Sequence, residues 1–158
     1  MKTINLEALK AKIPYQWRVQ SFSKHKPKCQ CVAYIDARNV MEVLDSVCGA
    51  ENWQSDFKEV KGNLYAGVGI FINGIWVWKW DCGTESQTEK EKGEASDSFK
   101  RAAVKWGVGR FLYDLDIKYL DTNGIKGDAD TATHKRYPQP ISPDGKVIYN
   151  ISEFINGI

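Results

Sequence analysis

Histidine is nearly absent from this chain of 158 residues, represented only by His25 and His134. With so few, no Ser/His/Asp or Cys/His constellation for nucleophilic catalysis stands out. Cysteine is scarce too. Cys29, Cys31, Cys48 and Cys82 include one Cys-x-Cys pair and no second pair at zinc-ligand spacing, so they read as reduced structural thiols. Long apolar runs are missing: the longest, Ala66 to Ile72, falls far short of the ~20 residues that cross a bilayer. The N-terminal MKTINLEALKAKIPYQW has neither the apolar core of a secretion signal nor the Arg/Ser richness of a transit peptide. Two ligand loops fail as well. Read as an EF-hand from Asp121, the polar stretch puts Lys126 where glycine is required and Ala132 where a carboxylate must close the site. Gly67-x-Gly69 lacks the context of a phosphate loop. The expectation is a soluble cytoplasmic protein with no membrane partner, no metal and no cofactor.

What the chain does have is apolar content and an uneven charge. Hydrophobic residues make up 42% and aromatics 12%, enough for a folded core. The net charge is only +2, yet the first thirty residues hold seven bases against Glu7 alone, which leaves the remainder at −4. A basic end on a mildly acidic body is one footprint of polyanion binding; a solvated surface segment is the other reading.

Periodicity outlines the elements. Leu6 to Lys12 reads as a short helix capped by Asn5, with Pro14 just beyond its end. Tyr15 to Phe22 alternates like a strand, and Lys24 to Lys28 reads as a loop. Asp36 is placed to cap a helix from Ala37 to Cys48, with Val40, Val43, Leu44, Val47 and Cys48 as its apolar stripe and Gly49 as its stop. Three strands follow, Asn52 to Val60, Leu64 to Ile72 and Ile75 to Cys82, joined by turns at Gly62-Asn63 and Asn73-Gly74. On the last, Trp76, Trp78 and Trp80 share a face, which predicts core packing beneath helices; base stacking is the alternative. A long helix is expected from about Glu94 to Leu112. Beyond Leu120 the sequence is rich in turn residues, with a last short element from Val147 to Ile155. The fold class is therefore α+β: an antiparallel sheet of three to four strands against a long helix in residues 1–120, then an irregular segment, 121–158, docked on the body or on a neighbouring subunit.

On the long helix, Ala95, Phe99, Ala102, Ala103 and Trp106 form the apolar arc, and Lys100, Arg101 and Lys105 lie opposite. Such a face can hold successive phosphates. Early acids and late bases also simply complement the helix dipole, and on periodicity alone that second reading is the favoured one. An enzymatic reading rests on Glu59-x-Lys61, the E-x-K spacing of metal-dependent nucleases, with Asp45 or Asp56 as second carboxylate. Asp45 falls on the helix and Asp56 on the same strand as Glu59, an unpromising geometry for a shared magnesium ion.

The run GEASDSFKRAAVKWGVGRFLYDL, Gly93 to Leu115, resembles the signature helix of the Rad52 family of single-strand annealing proteins, in particular its short bacterial and phage branches. VAYIDARNVMEVLDSVCGAENW (Val32 to Trp53) resembles the family's first helix and the tryptophan that opens its sheet, and LYAGVGIFINGIWVWKWDCGTE (Leu64 to Glu85) its central hairpin. The similarity spans about Tyr15 to Leu120, in order and spacing.

The resemblance implies a sheet packed on a long helix and assembled into a homo-oligomeric ring. It implies binding and annealing of single-stranded DNA in recombination and repair, without nucleotide hydrolysis and without catalysis. A single-strand-binding protein or an exonuclease is the implied kind of protein partner, in a bacterial cell or a phage-infected host. The family's paired basic residues match Lys100 and Arg101. A further arginine of its eukaryotic members is replaced by Val104, with Lys105 beside it, and an arginine of the first helix by Asn39, with Arg38 adjacent. Lys90 and Lys92 correspond by location to a second DNA site. A nuclease of the same pathway and a generic ring-forming nucleic-acid-binding module stand as alternatives.

Overall fold

A computed structural model of the chain describes residues 3–83, 90–125 and 137–157, without the side chains of 90–92. It divides into two compact units that cut across chain order: Met1–Pro14 with Ile35–Asp114, and Tyr15–Tyr34 with Leu115–Ile158.

The first unit begins with a single tight 3-10 turn, Leu6–Lys10, that buries Leu9. The helix expected to reach Lys12 stops here because Ala11 is already extended (ψ 142°), and Asn5 makes no side-chain capping bond. Helix α1, Ala37–Cys48, has the expected bounds. Asp36 accepts from the Asn39 amide and Asn39 Oδ1 accepts from the Asp36 amide, both at 2.9 Å, a reciprocal capping box. Val40, Leu44 and Cys48, at i, i+4 and i+8, are its buried stripe.

Strands β3 (Trp53–Val60), β4 (Asn63–Ile72) and β5 (Ile75–Cys82) form an antiparallel sheet with β4 central. Asn73 and Gly74 have φ of +50° and +84°, the doubly left-handed turn that matches strand twist. The first turn sits one residue earlier than expected, at Lys61-Gly62, where both φ are again positive. Helix α2, Lys90–Trp106, packs on β4 and β5. It ends before the expected Leu112 because Gly107 takes φ +110°, which an L side chain rarely adopts, and Arg110–Asp114 continue only as a 3-10 turn.

Register assigns the faces. Ala66, Val68 and Ile70 stand opposite Asp81, Lys79 and Val77, and α2 covers that side, leaving the three small or branched residues at 0% exposure. Trp76, Trp78 and Trp80 therefore occupy the other side. This corrects the expectation that they pack beneath helices. Trp78 and Trp80 lie across from Gly69 and Gly67 and stack on each other at 5.6 Å, while Trp76 is exposed.

In the second unit, β1 (Gln16–Phe22), β2 (Lys28–Tyr34), β6 (Lys118–Thr122) and β7 (Pro140–Ile141) form an antiparallel sheet in that order. The described residues thus form two sheets, of four and three strands, where one was expected. The segment after Leu120 also holds helix α3, Ile151–Asn156. It docks on β1: Trp17 Nε1 donates to Asn156 Oδ1 (3.1 Å), and the Trp17 amide donates to Ser152 Oγ (2.8 Å).

Cys29 and Cys31 are buried on one face of β2, against Trp17. Burial pushes both thiols up, Cys31 to about 12. Above pH 9 the unfolded chain loses these protons while the folded chain keeps them, so stability falls as pH rises from 9 toward 12. Denaturant unfolding between pH 9 and 10.5 should lose about 1.4 kcal/mol per pH unit more in the parent than in Cys31→Ala. Equal slopes would contradict the burial of this thiol.

Candidate nucleic-acid interface

The seam between α2 and its sheet decides which way the helix cations point. Ala102 and Ala103, fully buried, let the helix axis approach β4, with Phe99 and Trp106 anchoring either side. Trp106 Nε1 donates to the Val68 carbonyl (2.9 Å). At the N-terminal end, Glu94 Oε1 accepts from the Leu64 amide (2.8 Å). Ser98 Oγ donates to the Leu64 carbonyl (2.8 Å) and accepts from the Gly83 amide (3.0 Å). Tyr65 pairs with Cys82, so Leu64 and Gly83 would be the next rung of the β4–β5 ladder. The hydroxyl of Ser98 stands in that rung. Asp97 packs against Gly83 so closely that a Cβ there would overlap its carboxylate.

With the helix fixed, the cations separate into two groups. Lys100 is half-buried, and its ammonium donates to the carbonyl of Ile35 (3.4 Å), three residues before Arg38 in the first turn of α1. Arg38 itself is exposed, and the side-chain oxygen of Asn39 is engaged in the capping box. Arg101 and Lys105 lie on the β5 flank, both exposed. Arg101 Nε is 3.8 Å from Asp81 Oδ2, and Lys105 Nζ donates to the carbonyl of Trp80. The geometry therefore pairs Arg101 with Lys105, one turn apart, rather than with its neighbour Lys100. Arg101 takes its ion pair from Asp81 on the sheet and not from Asp97 on its own helix. The side chains of Lys90 and Lys92 lie outside the described residues.

Sequence reading missed two cations. Lys79 comes off the helix-covered face of β5, lies 4.4 Å over the Trp106 ring and donates to the carbonyl of Lys105. Lys58 lies 4.0 Å over Trp80 on the opposite face of the sheet. The signal for Lys79 was its parity, out of phase with the tryptophans. Arg110 donates to the carbonyls of Val104 and Lys105 and so caps the C-terminal end of α2, the dipole role that periodicity allowed for late bases.

The nuclease constellation does not assemble. Alternation puts Asp56 and Glu59 on opposite faces of β3, and Asp45 accepts from Trp53 Nε1 at 2.7 Å. Among the described residues no group of three or more His, Cys, Asp or Glu side chains is placed to hold a metal ion. No helix of the described residues is long and apolar enough to cross a membrane.

A sequence profile described as "Rad52/22 family double-strand break repair protein" matches residues 4–129. The chain belongs to that family. It is 34% identical over 112 residues to the single-stranded DNA-binding protein DdrA of Deinococcus deserti, covering 70% of this chain and 55% of that protein. With DdrA of Deinococcus radiodurans it shares 33% identity over 107 residues, 66% of this chain and 51% of the relative. The chain thus spans about half the length of the curated relatives it matches. The match to the family takes in α1, the three-stranded sheet and α2, the elements that set the positions of Arg38, Lys100, Arg101 and Lys105.

Proposed function

We propose that this chain binds single-stranded DNA and anneals it to its complement in recombination and repair, as a ring of many copies, without nucleotide hydrolysis and without covalent chemistry. The observation that carries this reading is the exposed Arg101–Lys105 pair on the β5 flank of α2, held by a seam of buried side chains, in a member of the Rad52/22 family. Cations one turn apart on a rigid helix position a phosphate backbone without reading its sequence. Lys100 and Arg38, which is in the first turn of α1, add phosphate contacts on the other flank, and Lys90 and Lys92, in the first turn of α2, are further lysines this reading assigns to DNA. Watson–Crick pairing then supplies specificity, and repetition around a ring turns modest sites into avidity. Assembly is supported by apolar side chains exposed on the outer strands of the three-stranded sheet, Phe57 and Val60 on β3 and Ile75 and Trp76 on β5.

The test is affinity for a labelled oligonucleotide at several salt concentrations, with annealing of two complementary strands and light scattering on the same samples. Arg101→Ala with Lys105→Ala should weaken binding about equally for all sequences and flatten the salt slope by about 0.7 per lost phosphate contact. Annealing should slow in step, with the large assembly intact. Parent-like binding by the double variant would sink the site, and a monomer at micromolar concentration the ring. Magnesium-dependent DNA degradation lost in Glu59→Gln would replace the reading with a nuclease.

A further inference from the structure

No acidic residue occurs between Glu7 and Asp36, and the β1–β2 hairpin inside that stretch carries Arg18, Lys24, Lys26 and Lys28, all exposed. The α2 site uses none of them, and they belong to the other compact unit. Register sorts this sheet into two faces. Trp17, Val19 and Phe22 pair with Ala33, Cys31 and Cys29 on the side that packs against α3. Arg18 pairs with Val32, Ser21 with Gln30, and Gln30 with Tyr119 of β6, so these residues occupy the opposite face together with Lys28. An open hollow of about 290 Å³ at this end of the hairpin is lined in part by Ser21, Lys26, Lys28, Gln30 and Tyr119, and Tyr119 is 65% exposed. Arg18 lies 5.3 Å over the ring of Tyr34. Among the described residues, Asp121 lies 3.0 Å from Lys28 with both partners more than half exposed, so it offsets little, and Glu153 lines a hollow together with Arg18.

We infer that this hairpin face is a second contact surface for single-stranded DNA: Lys24, Lys26 and Lys28 hold phosphates, Tyr119 stacks a base, and Arg18 presents the free plane of its guanidinium to a neighbouring base. The inference rests on the reading that the chain binds single-stranded DNA. Charge complementarity selects a polyanion, since among the described residues the exposed Lys24, Lys26 and Lys28 outnumber the Asp121 beside them. The exposed ring and the hydrogen-bonding row Ser21–Gln30 select unpaired bases, whose faces and edges are open, over a lipid surface or an acidic peptide. The surface came from no family motif, and its signal in the sequence is the basic N-terminal stretch itself.

Affinity of the full chain for a fluorescein-labelled oligothymidine, measured against salt, tests it. Lys24→Ala with Lys26→Ala, loop positions that carry no core packing, should weaken binding and flatten the salt slope by about 1.4, or 0.7 per contact. Tyr119→Ala should weaken binding at least about five-fold with the slope unchanged, because stacking releases no counterions. Arginine at both lysine positions should restore the parent slope, and Lys146→Ala, loss of a single lysine charge elsewhere on this unit, should alter nothing. If the hairpin variants bind like the parent while Arg101→Ala with Lys105→Ala binds weakly, this surface is refuted and the α2 site stands. If the parent does not bind the oligonucleotide, the underlying reading falls as well.

Discussion

Gly69→Ala should destabilise the protein, against the usual sign for that change in a strand. Alanine ordinarily gains about 0.5–1 kcal/mol over glycine within a strand, because glycine loses more backbone freedom on folding. Here the gain is overridden. A Cβ at Gly69 would sit 2.7 Å from the Trp78 ring, and one at Gly67 would sit 2.7 Å from Trp80. The contact atoms belong to fused rings stacked on each other at an interplanar angle of 21°, so neither can yield alone. Overpacking of this kind costs about 1–3 kcal/mol, which for a chain of this size lowers the melting temperature by about 2–12 °C. A double-mutant cycle isolates the cause: in a Trp78→Ala background, Gly69→Ala should lose most of its penalty. An equal penalty in both backgrounds would mean that ring crowding is not what Gly69 relieves.

Those glycine–tryptophan pairs also mark where the sequence was legible. The Asn73-Gly74 turn fixes the β4–β5 register, and with it Gly69 opposite Trp78 and Gly67 opposite Trp80, before any coordinates. Alternation alone says that the tryptophans share a face and not which face a helix covers. The deciding contrast lay on β4, where Ala66, Val68 and Ile70 offer a packing surface and Gly67 and Gly69 do not. Helix α1 was legible to the residue because capping box, apolar period and glycine stop are all local. Strand β2 was not: KCQCVAY pairs with β1 across the loop Ser23 to Pro27, which carries no Asn-Gly or Asp-Gly turn signal, and with β6 about ninety residues away, a partner that leaves no local trace. The basic residues of α2 were legible as a face but not as partners. Long side chains choose among carbonyls and carboxylates of neighbouring elements, which a helical wheel does not contain.

Removing the hydroxyl that stands in the last rung of the β4–β5 ladder should have two effects, and their combination is informative. Ser98 is fully buried, donates to the Leu64 carbonyl and accepts from the Gly83 amide, so Ser98→Ala strands one acceptor and one donor in the α2–sheet seam. Each partly buried group left unsatisfied costs about 1–3 kcal/mol, which puts the loss at about 2–6 kcal/mol, and denaturant unfolding would show it directly. The second effect follows from position. Ser98 is three residues before Arg101 and seven before Lys105, on the same rigid helix, and with Glu94 it fixes the rotation of α2 on the sheet. Looser rotation should weaken single-stranded DNA binding per folded molecule and flatten its salt slope, under conditions where the variant is fully folded. A variant as stable as the parent would show that the hydroxyl is no part of the ladder. Lower stability with unchanged affinity and slope would confine Ser98 to holding the fold, leaving Phe99 and Trp106 to aim the cations.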